Sequence, residues 1–92
     1  MKTKLIKTKT ATIRVTADDI TKGEPSECRC CPIALAMQRR FPRSKVNVGR
    51  ISFRVGKWHG WLPESAQDFI YNFDDNYLVK PFTFRLKLQL TQ

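Results

Sequence analysis

Lysine and arginine are missing from one stretch of an otherwise strongly basic chain. Between Trp58 and Val79 there are four acids and no Lys or Arg, although the whole sequence holds 17 Lys and Arg against 8 Asp and Glu, a formal net charge of +9 at pH 7. The positive excess is therefore carried by residues 1–57 and 80–92. Long apolar runs are also absent. Nothing approaches the ~20 residues that cross a bilayer, and the lysine-rich start lacks the apolar centre of a secretory signal. These two absences lead us to expect a cytoplasmic protein with no membrane partner. Histidine occurs once, at His59, which leaves no second imidazole for metal or acid–base work. Nucleophile elbow, phosphate loop and paired carboxylates in a cleft are all missing, so no enzyme, small-molecule substrate or cofactor is expected. Cysteine is limited to Cys28, Cys30 and Cys31. Three thiols cannot all pair and neighbours in sequence make a poor disulfide, so reduced cytosolic thiols are the expectation.

What is present suffices for one core. Hydrophobic residues are 41% and aromatics 11% of 92 residues, enough to fold as one small domain. Residues 9–16 alternate, with Ala11, Ile13 and Val15 on one side, and predict a half-buried strand. Residues 1–8 read as a flexible basic arm, whose Lys2, Lys4 and Lys7, together with Lys9, could reach a neighbouring phosphate. Thr16 followed by Asp19 predicts a capped short helix that Gly23 stops. Pro32 opens a second helix that Pro42 ends. Alternation returns at Val46 and Val48, then shifts parity to Ile51, Phe53 and Val55, so Gly49 must mark a bulge or break. Gly56 and Gly60 bracket Lys57, Trp58 and His59 as a hairpin turn, with Trp61 and Leu62 opening the return strand. Ala66, Phe69, Ile70 and Phe73 stripe a third helix over 63–75, whose end leaves Asp74 and Asp75 solvated. Phe82, Phe84, Leu86, Leu88 and Leu90 form the inner face of a last strand. The order predicts an α+β domain with a mainly antiparallel sheet of four to five strands and two main helices on one face.

Strand phase then places charge. With Ile13, Phe53 and Phe84 inward, Arg14, Arg50, Arg54, Arg85 and Lys87 project from the uncovered side of the sheet. Arg39, Arg40, Arg43 and Lys45 form a second basic cluster where a helix ends. Lys57 and Trp58, at the expected turn, add a cation and an exposed ring that could stack on a base or anchor a protein pocket. Trp61 is divided between that role and capping the core. Solubilising charge is the ordinary explanation of such runs, but an excess of one sign points to a polyanion, nucleic acid or nucleoprotein.

The cysteines leave an alternative open. Cys28, Cys30 and Cys31 with His59 could supply three thiolates and an imidazole to zinc, although the second paired motif usual in structural zinc sites is missing. The preferred reading binds no metal, with Cys31 packed beneath the helix and the others in a loop.

The segments Cys31-Pro-Ile-Ala-Leu-Ala36, Val46-Asn-Val-Gly-Arg50, Leu62-Pro63, Phe69-Ile70, Phe73-Asp74 and Val79-Lys-Pro-Phe-Thr-Phe84 resemble small phage and prophage proteins. Together with the length and the lysine-rich start, the chain looks like the eighth family of type I-F anti-CRISPR proteins. The resemblance implies a phage-encoded monomer in the host cytoplasm that docks on the protein subunits and guide RNA of the crRNA-guided surveillance complex. Bound there, it would stop target DNA from pairing, and it carries over no catalytic residue. A free-standing nucleic-acid-binding phage regulator is the alternative.

Overall fold

Alternating β-branched and threonine residues draw the start of the chain into a long strand, β1 (Leu5–Val15), against β5 (Phe82–Thr91). The computed structural model describes the backbone of residues 5–91 and the burial of side chains 7–90. Between these strands come α1 (Ala17–Lys22), α2 (Pro32–Arg40), β2 (Val46–Val48), β3 (Ser52–Val55), β4 (Trp58–Trp61) and α3 (Glu64–Asp74). The five strands form one antiparallel sheet in the order β1-β5-β4-β3-β2. This is the expected α+β architecture. Of the residues expected in an arm, 5–8 belong to β1, while 1–4 lie outside the described residues.

Alternation decides which face is buried. Ala11, Ile13 and Val15 pair across from Leu86, Phe84 and Phe82, and these residues join Val46, Val48, Phe53, Val55 and Leu88 beneath the helices. Ile13, Leu86 and Leu88 are fully buried, each contributing roughly 1.5–3 kcal/mol by removal from water. The stripe on α3 meets the sheet through stacked rings, Phe69 to Phe82 at 4.8 Å and Phe82 to Phe84 at 5.3 Å.

Capping fixes the short helices. The Thr16 hydroxyl accepts from the Asp19 amide at 3.2 Å and the Asp19 carboxylate accepts from the Thr16 amide at 2.8 Å, the reciprocal box expected from sequence. In α2, Pro32 stands at the first turn and the Cys31 sulfur accepts from the Ala34 amide at 3.4 Å.

The hairpins resolve the parity shift and correct one turn. Val48 pairs with Phe53, and the Gly49 amide donates to the Ser52 carbonyl at 2.8 Å. The four residues between this pair, an even number, return the chain to the same face with shifted parity, and Gly49 marks a break between strands. Ile51, read as inward, falls in that connection and is 51% exposed. The next turn contains two residues, Gly56 and Lys57, because Val55 pairs directly with Trp58. Gly56 takes φ +58° at the first central position, as a type II′ turn requires. Trp58, His59 and Gly60 are thus strand residues. Gly60 is needed for space: a Cβ there would lie 2.7 Å from the Lys87 carbonyl oxygen and 3.0 Å from the Phe53 ring.

Candidate nucleic-acid interface

One face of the sheet carries no helix, and its residues follow from the same alternation. Asn47, Arg54, Ser52, Trp61, Lys87, Arg85, Thr83, Thr10, Thr12 and Arg14 are all exposed there. Register lines up a polar row across all five strands: Thr8 opposite Gln89, Gln89 opposite His59, His59 opposite Arg54, and Arg54 opposite Asn47. Around that row lies an open concavity of ≈ 830 Å³ that also takes in Lys57 and Trp61. Arg14 sits opposite Thr83, which makes Arg85 its diagonal neighbour on the same face.

Charge is sorted by layer. The strands contain Lys7, Lys9, Arg14, Arg54, Arg85 and Lys87 and no acid. All eight acids lie in α1, the loop after it, α3 or the residue beyond α3. Among the described residues, Arg14, Arg54, Arg85 and Lys87 have no ion-pair partner. The ion pairs formed there are Lys22–Asp18, Arg39–Asp19 and Arg50–Asp74. The face is therefore cationic and uncompensated, as expected for Arg14, Arg54, Arg85 and Lys87.

Arg50 is placed otherwise. It stands in the β2–β3 connection, its Nε 3.8 Å from Asp74 and its guanidinium 5.4 Å from the Tyr71 ring centroid, so it belongs to the helix layer. Asp74 is correspondingly not a solvated helix end. Its side chain is only 6% exposed and accepts from the Ser26 amide at 2.8 Å, tying the loop before α2 to α3.

The second basic cluster divides. Arg39 turns to α1, donating to both oxygens of buried Asp19 at 2.7 and 2.9 Å and to the Arg14 carbonyl at 2.8 Å. Burial alone would raise the Asp19 carboxyl, but hydrogen bonds from Arg39 and Thr16 outweigh it and hold the pKa below the ordinary value. The same hydrogen bond raises Arg39. Arg40 lies over the Phe41 ring at 5.0 Å. Arg43 and Lys45 line a groove along β2.

The turn is shorter than expected, which moves Trp58 off it and settles the side of Trp61. Trp58 pairs with Val55 on the helix side, half-buried against the core, with Lys9 Nζ 4.3 Å from its ring centroid. Lys9 is therefore folded onto the core edge instead of extending as an arm. Trp61 is 70% exposed on the open face. Alternation carried from Val55 through a two-residue turn places both rings.

The zinc set does not assemble. His59 faces the open side, whereas Cys31 is buried at the N-cap of α2, and no cluster of three or more His, Cys, Asp or Glu able to hold a metal occurs among the described residues. Burial raises the Cys31 thiol to about 11, which keeps it protonated and unreactive near neutrality. Among the described residues no helix is long and apolar enough to cross a membrane. Comparisons with protein-family models, curated proteins and solved structures gave no significant match to this chain.

Proposed function

We propose that this protein is a stoichiometric inhibitor that binds a nucleoprotein through its uncovered sheet face, its target being the type I-F crRNA-guided surveillance complex of a phage's bacterial host. The observation that carries the reading is the separation of charge: Arg14, Arg54, Arg85 and Lys87 lack ion-pair partners among the described residues, on a face without acids. Phosphate groups neutralised by such side chains release counterions, which supplies affinity independent of base sequence. Trp61 beside them offers a stacking surface for an unpaired base, about 1–3 kcal/mol per base in proteins that hold single strands. The acidic helix layer is left outward to meet basic protein subunits. The choice of target rests on the sequence resemblance, while the charge distribution supports the chemistry.

Inhibition follows by occupancy, with cationic side chains engaging guide RNA or the path of incoming DNA and no bond made or broken. The test is titration against the purified surveillance complex with labelled target DNA. Target binding should vanish once the inhibitor equals the complex in amount. Undiminished DNA binding at excess inhibitor would refute the target assignment, and equal affinity for naked RNA or DNA would favour a free-standing phage regulator.

A further inference from the structure

We propose that the groove along the outer edge of β2 is a second phosphate-backbone site, continuous with the open face, so that a single strand turns round the edge of the sheet. This inference rests on the nucleic-acid reading above and assigns that site a longer, bent path. The groove, ≈ 580 Å³, is lined by Arg29, Arg43, Lys45, Arg54 and Lys57 and by no acid. Asn47, Arg54 and Lys57 line both this groove and the concavity of the open face, so the two are joined at the β2–β3 pairing. Among the described residues none of the five cations has an ion-pair partner.

The groove is held by backbone and side-chain hydrogen bonds outside it. The Val48 amide donates to the Cys28 carbonyl at 2.8 Å, which pins the loop carrying Arg29 against β2. Gln38 Nε2 donates to the Phe41 and Ser44 carbonyls at 3.3 and 3.0 Å, which fixes the turn that presents Arg43 and Lys45. Arg29 thus converges on the same groove from a segment remote in sequence. A duplex, stiff over about 150 base pairs, pays a bending cost on the order of several kcal/mol to turn round the edge of a body measuring 41 × 24 × 19 Å. A single strand avoids that cost, which favours it as the occupant.

The experiment uses fluorescence anisotropy with labelled oligothymidylates from about 4 to about 16 nucleotides, the range of site sizes known for single-strand binders. Wild type is compared with Arg29→Glu/Arg43→Glu, two exposed positions whose replacement should leave the thermal melt unchanged. Wild-type affinity should keep rising with length after that of the variant has levelled off. On the longest strand, the variant's log-log salt slope should be shallower by about 1.4, two phosphates at roughly 0.7 each. Identical length dependence and slope in the two proteins, with wild type binding well, would overturn the edge site alone. Wild type failing to bind any strand would remove the nucleic-acid reading itself and this extension with it. Displacement of the strand by polyglutamate as effective as by unlabelled oligothymidylate would make the groove a seat for acidic protein and also overturn the proposal.

Discussion

Replacing Arg54 and Arg85 together by glutamate is expected to weaken binding to the surveillance complex roughly a hundredfold, about 2.7 kcal/mol, while leaving the fold intact. Both side chains are exposed on acid-free strands, so reversal removes two phosphate contacts and places like charge against the polymer. No described partner is orphaned, because neither residue takes part in the ion pairs found among the described residues. The measurement is a competition titration with labelled target DNA, accompanied by a thermal melt. Unchanged potency with an unchanged melt would exclude the sheet face from the binding surface.

Arg39→Ala should do the reverse, lowering stability by about 2 kcal/mol and leaving binding nearly as it was. The substitution strands a buried carboxylate at Asp19, although half of the Arg39 side chain is in water, which screens the pair and reduces the cost expected for a fully buried one. For a domain of this size the melting temperature should fall by roughly 10 °C at pH 7. Direction with pH follows from Asp19, whose folded pKa lies below its unfolded value. The stabilisation is complete above the unfolded value of about 3.9 and is lost as pH falls through the folded one. The gap between wild type and variant should therefore narrow under acid. A melt unaffected at pH 7, or a variant that folds normally but loses its salt-dependent affinity, would return Arg39 to the binding surface.

These arginines illustrate what local sequence can and cannot reveal. The alternation in β1 and β5, the Thr16–Asp19 box, Pro32 at the start of α2 and the stripe on α3 are local signals, and each produced the element expected. Arg54, Arg85, Arg14 and Lys87 inherited their direction from that alternation. Arg39 and Arg50 did not, since their destinies depend on Asp19 and Asp74, partners 20 and 24 positions away, and composition cannot distinguish a paired arginine from a bare one. The tryptophans are obscured in the sequence for a different reason. Gly56 and Gly60 look alike in sequence, but one supplies a left-handed turn and the other makes room for the Phe53 ring. Taken both as turn residues, they put Trp58 outward and leave Trp61 undecided. Arg29 reaches the basic groove through a loop tied to β2 at Val48, a contact that leaves no trace in spacing.

The central claim is that attachment is made by uncompensated cations to phosphate. Its most direct test is the affinity of wild-type protein for the purified surveillance complex over a series of salt concentrations. A log-log slope of roughly −3 or steeper, corresponding to about four single-strand phosphates, is the predicted result. Tight binding with a slope near zero would contradict the account.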